Sequence, residues 1–200
     1  MAPSSSLLTA FTGQRTISAY PTIDDLVTGI DNLTNLNDSL SVGIEAYSGG
    51  VVDLLRLVQS VYKVYEAVTT LRQRVELMGD FTQNQNEEEN VKAAGHRLCI
   101  SLNASMFAAS HRVYLIKRVP GGNSIVRPVL KQVATAKADL QRALVSRCSP
   151  GTEKEFETEN EEFQNIYNAI LKDLNSHHYH YLDHKYKDLS FDYRKEPRVR

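Results

Sequence analysis

Between Thr22 and Val119 the chain contains no proline. Proline ends or kinks helices and stays out of central strands, so so long a stretch without it leaves room for several unbroken helices. The prolines stand at 3, 21, 120, 128, 150 and 197, and Gly-Gly pairs fall at 49–50 and 121–122. A many-stranded β protein needs turn chemistry about every 8–12 residues; here it gathers at a few points. The pattern predicts an all-α fold, an antiparallel bundle of about five long amphipathic helices. With 200 residues, 42% apolar, and a net charge of −1, the chain can bury a core. That balance excludes a wholly disordered chain and gives no global reason to expect nucleic acid.

Apolar residues at spacings of three, four and seven mark each helix. Ile23, Leu26, Val27, Ile30, Leu33, Leu40, Ile44 and Tyr47 form the first stripe, opened by a Thr22-Ile-Asp-Asp25 cap and stopped by Gly49-Gly50. The second runs from about Val51 to Met78, and Leu55, Leu57 and Tyr62 widen its stripe so that more than one neighbour must cover it. The polar stretch from Gly79 to Glu89 reads as an exposed loop. A third helix is expected from about Glu87 to Lys117, rich in alanine at its middle, and a fourth from about Ile125 to Arg147, with Pro128 near its start. A fifth opens on a Thr152-Glu-Lys-Glu155 capping box and ends near Asn175. The expected division is therefore a flexible segment 1–20, a bundle domain 21–176, and a polar His/Tyr-rich tail 177–200.

Catalytic signatures are absent from this pattern: there is no His-Glu-x-x-His helix, phosphate-cradling glycine loop or nucleophile elbow. The expectation is a protein that is not an enzyme and uses no cofactor. His177, His178, His180 and His184 cluster with Asp183, but a solvated tail explains them better than a metal site, and no metal ligands are assigned. No apolar run is long enough to span a membrane. The N-terminus lacks a basic region and a full apolar core, so it makes a poor secretory signal. Folding the third and fourth helices back to back would bring Cys148 within about one helical turn, ~6 Å, of Cys99, so a disulfide and two free thiols both stay open. Residues 111–147 carry Arg112, Lys117, Arg118, Arg127, Lys131, Lys137, Arg142 and Arg147 against Asp139, and residues 153–162 are glutamate-rich. The expected outcome is complementary solvated faces, the fifth helix answering the fourth, rather than an anion site.

Asp25-Leu-Val-Thr-Gly-Ile-Asp-Asn-Leu33, Ile44-Glu-Ala-Tyr-Ser-Gly-Gly50 and the Leu54/Val58/Val61 repeat resemble the fungal hydrophobic surface-binding protein A family, which includes the cell-wall galactomannoproteins. Lys131-Gln-Val-Ala-Thr-Ala-Lys-Ala-Asp-Leu-Gln-Arg-Ala-Leu144, followed by a proline-containing break and a last helix, fits the C-terminal half of that family. The resemblance implies a helical bundle, secreted or wall-attached, that binds apolar surfaces or encloses a fatty-acid-like lipid. Without a signal peptide in the sequence, a cytoplasmic location is the alternative. Wide apolar stripes and small residues in the third helix are consistent with a slot between helices. Val58, Val61, Tyr65, Leu102, Met106, Val133, Leu140, Phe163, Ile166 and Ile170 are the expected lining, with Tyr62, Tyr65 or a basic residue of the third or fourth helix meeting a carboxylate at the mouth. The competing reading is an intracellular helical module that binds a protein partner.

Overall fold

The computed structural model describes residues 21–176; the expected N-terminal segment 1–20 and the histidine tail 177–200 lie outside the described residues. Six helices follow in order: α1 (Ile23–Ala46), α2 (Val51–Glu76), α3 (Gln85–Ser110), α4 (Val113–Arg118), α5 (Gly122–Val145) and α6 (Pro150–Asn175). Phe81–Gln83 add one 3-10 turn between α2 and α3. Among the described residues 86% are helical and none are in strands.

The first helix starts where its cap places it. Asp25 N–H donates to the Thr22 hydroxyl at 3.1 Å, and Thr22 N–H donates to the Asp25 carboxylate at 3.0 Å, completing the reciprocal box. After α1, Gly49 and Gly50 adopt φ of 112° and 102°, which costs a residue bearing a side chain far more than glycine. The chain then reverses directly into α2.

Three expectations change at this level. The predicted third helix divides: α3 ends at Ser110, and α4 restarts at Val113 after the His111–Arg112 turn. The supposed exposed loop before α3 buries Phe81, which is 2% exposed, and Glu88. Finally, α6 begins earlier than its predicted capping box. Ser149 is the N-cap and Pro150 the first helical residue, a position where the missing N–H costs nothing. Thr152, now inside the helix, donates instead to the Glu88 carboxylate at 2.9 Å. Ser149 N–H donates to the same oxygen at 2.7 Å. Hydrogen bonds from the Ser149 side chain and backbone, with Thr152 adding to them, hold Glu88 below the usual carboxylate range.

The five long helices form a closed ring. Its order is α1, α2, α5, α6, α3 and back to α1; no other pair of long helices makes an extended contact. Successive long helices alternate in direction, as expected of an antiparallel bundle, but ring neighbours are not always successive. Asp31 meets Arg97 and Asn37 meets Ser101, so α1 and α3 run parallel side by side. Lys92 to Glu155 and Asn103 to Glu162 show the same for α3 and α6, while α1–α2 and α5–α6 are antiparallel hairpins. For axes about 8–10 Å apart, a regular pentagon puts each axis roughly 7–8.5 Å from the centre. Helices with side chains are about 10–12 Å thick, which leaves roughly 2–7 Å across the axis to be filled. Leu26, Ile30 and Leu33 from α1, Val64, Val68 and Val75 from α2, and Phe163, Ile170 and Leu174 from α6 supply the most completely buried side chains. α4 packs on α5 and α6 near one end of the ring, and Phe81 packs near the other, its N–H donating to the Arg147 carbonyl at 2.8 Å.

Ring order also decides the cysteines. α3 and α5 are not neighbours, so back-to-back folding of those helices does not occur. Cys148 adjoins Ser149, which bonds Glu88, and Glu88 lies eleven residues before Cys99 on α3. That is about 16 Å along the helix, far beyond disulfide reach. Both thiols are free. Burial pushes Cys99 far up, with Glu159 adding to the shift. Burial pushes Cys148 up to about 11.

Candidate functional site

The residues expected to line a slot occupy every stave of the ring except α1. Leu102 and Met106 on α3, Val133 and Leu140 on α5, and Phe163, Ile166 and Ile170 on α6 are buried. Val58, Val61 and Tyr65 on α2 are half-buried. Leu102, Met106, Leu140, Phe163, Ile166 and Ile170 share one contiguous core cluster; Val61 and Tyr65 pack against it, while Val58 and Val133 stand outside. Tyr62, considered for the mouth, is 41% exposed on the outer side of α2.

Polar groups in this apolar ring are few, and most are spent on holding helices together. Asn37 is 1% exposed and donates to the Ser101 carbonyl at 2.7 Å and hydroxyl at 2.9 Å. Lys137, also buried, donates to Asn160 at 2.6 Å and Gln141 at 2.9 Å, with its ammonium 4.7 Å from the centre of the Phe163 ring. Burial holds its pKa below the ordinary lysine value. No carboxylate lies within ion-pair distance of it, so two neutral amides and an aromatic face carry the charge.

The charge pattern resolves differently from the expectation. Glutamates of α6 turn to α3 rather than α5: Glu155 pairs with Lys92, Glu159 with His96, and Glu162 accepts from Asn103. The basic run of α4 and α5 is engaged elsewhere. Arg147 donates to the carbonyls of Glu76 and Met78 at the end of α2, Arg142 pairs with Asp139, and Lys117 donates to carbonyls at the end of α6. Complementary faces exist, therefore, but between different helices, because ring order is not sequence order.

A groove of about 310 Å³ opens between α5 and α6, lined by Ser124, Arg127, Pro128, Lys131, Tyr167 and Leu171. That volume sits at the small end of the roughly 300–1,000 Å³ typical of ligand sites. None of the residues expected to line a slot borders it. Pro128 lies inside α5 and has no N–H to give the Ser124 carbonyl, so the helix lacks one rung beside the groove. A proline within a predicted helix, flanked by cations at 127 and 131, is the signal in the sequence that could have found this site.

No group of three or more His, Cys, Asp or Glu among the described residues is arranged to hold a metal ion. No described helix is long and apolar enough to cross a membrane.

No family model and no curated protein matches the sequence. Solved structures do match in shape. Afmp4p in complex with palmitic acid superposes with a TM-score of 0.71 at 10% identity, covering 76% of this chain and 99% of that one. Ligand-binding domain 2 of the Penicillium marneffei MP1 protein, complexed with multiple arachidonic acids, gives 0.65 at 12% identity over 76% of this chain and 94% of that one. The same domain in a second complex with arachidonic acids gives 0.66 at 14%, over 82% and 98%. The resemblance drawn from residues 25–50 and 131–144 thus holds at the level of the fold.

Proposed function

We propose that this chain is a non-enzymatic binder of long-chain fatty acids or similar lipids, held in the apolar interior of the helix ring. One observation carries the reading: five helices close a ring around an aliphatic interior, and chains of the same shape have been crystallised with fatty acids. The lining is Val58, Val61, Tyr65, Leu102, Met106, Val133, Leu140, Phe163, Ile166 and Ile170. Burial of an acyl chain there needs few polar contacts, since the gain scales with the methylenes removed from water. Secretion or wall attachment is the compartment proposed with it, on the family resemblance alone, and cell fractionation tests it.

Displacement of a fluorescent fatty acid from delipidated protein, with native mass spectrometry of the purified chain, tests the binding. Saturable displacement by long-chain acids and a co-purifying lipid mass are expected. Neither appearing would overturn the reading.

A second mode, adsorption to apolar surfaces, has its own support. Val42, Val51, Val52, Leu55 and Tyr62 all stand exposed on the α1–α2 hairpin: α2 finds two neighbours, α1 and α5, and Leu57 packs on the core, but Leu55 and Tyr62 of the wide stripe stay uncovered. Depletion from solution by hydrophobic beads, abolished by Val52→Ser with Leu55→Ser, is the expected result.

A further inference from the structure

We infer that the groove between α5 and α6 is the carboxylate port of the protein. Arg127, Lys131 and the Tyr167 hydroxyl hold the head of a long-chain fatty acid there, while the first methylenes lie over Pro128 and Leu171. This deepens the fatty-acid reading above and rests on it.

The cations come first. Arg127 and Lys131 are one turn apart on α5, on the same face, and both border the groove. Like charges at this spacing repel. Neither makes a hydrogen bond or an ion pair among the described residues, although Arg142, Arg147, Lys117 and Lys137 of the same basic run are all engaged. An anion placed between them converts the repulsion into two attractions, and the arginine fork can take a carboxylate through two parallel N–H donors.

Tyr167 is the independent observation. It is 9% exposed, its ring stacks on Phe163 with centroids 6.4 Å apart, and it borders the groove. Its ring is buried, while its hydroxyl makes no hydrogen bond to the described residues and is open to solvent. The groove is where a partner can reach it.

The floor selects an amphiphile over a simple anion. Pro128, Leu171 and the Tyr167 ring are apolar, and Leu171 packs against the cluster that contains Tyr167, Ile166 and Ile170. A head bound at the rim therefore has its tail already on the side of α6 that faces the interior. Glu155, Glu159 and Glu162 of α6 turn to α3 and do not compete.

The test titrates the full delipidated chain with palmitic acid and with hexadecanol, which shares the chain but has no charge. Wild type should prefer the acid by about tenfold, the difference a charge-assisted pair supplies. Arg127→Ala with Lys131→Ala should bring acid affinity down to that of the alcohol and leave the alcohol unchanged. Tyr167→Phe should weaken the acid by about threefold, again sparing the alcohol. If the double variant binds the acid as wild type does, the port is overturned while fatty-acid binding stands. If millimolar acetate displaces palmitate, the groove is a simple anion site and the proposal is likewise overturned. Wild type that binds neither acid nor alcohol overturns the fatty-acid reading and the port together.

Discussion

The α1–α3 and α5–α6 seams of the ring are built on opposite plans. α1 and α3 run parallel with α2 between them in sequence, so no short loop fixes their register. Polar pairs do it instead: Arg97 to Asp31, Asn37 to Ser101, and Ser101 to Asp38. α5 and α6 are a hairpin joined through residues 146–149, and the connection itself sets their register. Cross-links stand at both ends of the seam: Lys137 reaches Asn160 and Gln141 reaches the Phe156 carbonyl near the turn, and Asn123 donates to the Leu174 carbonyl at 2.8 Å at the far end. Between them, at Arg127, Lys131 and Tyr167, side chains face a groove instead of each other. Where connectivity already aligns two helices, side chains are free for a ligand; where it does not, they are spent on alignment.

Four measurements can break or sharpen that contrast. The largest effect is expected at Phe163, 1% exposed beneath Lys137 and Tyr167. Phe163→Ala should cost about 3–5 kcal/mol in urea unfolding. A cost under about 1 kcal/mol would mean the α5–α6 seam is loose throughout rather than open at the groove only.

Asn37→Ala should cost about 2–3 kcal/mol, because it removes two buried hydrogen bonds and leaves acceptors on Ser101 unpaired. Lys137→Met should change stability by less than about 1 kcal/mol near neutrality, since losing a buried charge offsets two unpaired amide oxygens. Its pH signature is sharper. The folded pKa of Lys137 lies below the ordinary value of about 10.4, so the unfolded chain binds more protons in between. Wild type should gain stability as pH rises through that window, the contribution being complete above the ordinary value and lost as pH falls through the folded one. Lys137→Met should flatten the slope.

The smallest effect belongs to the groove: Arg127→Ala with Lys131→Ala should leave the unfolding free energy within about 0.5 kcal/mol of wild type, like-charge repulsion being relieved. A large loss would show that these cations brace the fold and are not held in reserve.

Much of this architecture can be read from local chemistry. The Thr22–Asp25 cap and the Gly49-Gly50 stop place α1 to within a residue or two of the observed helix, and the apolar periods identify the core faces. The break at His111–Arg112 has no such mark, because Ser110-His-Arg-Val113 contains neither glycine nor proline; tertiary packing of α4 on α5 and α6 imposes it. Two start signals compete at α6, the Thr152-Glu155 box and Pro150; the helix takes the earlier one, where the fixed φ of proline suits the first helical position. Ring order was invisible, since periodicity tells which face is buried and never against which helix. For the same reason the acidic stretch of α6 was matched to α5 when its partners lie on α3. Of the groove, Arg127 and Lys131 are visible in the sequence as part of the basic run, but their juxtaposition with Tyr167 depends on an antiparallel register that only the folded chain supplies.

The last helix is also the stave that completes the ring, for α6 alone joins α5 to α3. Its contacts with α3 span about sixty residues of chain, as the separation of 63 between Lys92 and Glu155 shows. The α1–α3 contacts are as distant, but synthesis runs from the N-terminus, so those of α6 become available last. Until residues 150–175 emerge from the ribosome, α1, α2, α3 and α5 make an open gutter with its apolar floor turned to solvent. On the fatty-acid reading proposed above, that is the stage at which a lipid would reach the interior without passing between finished helices.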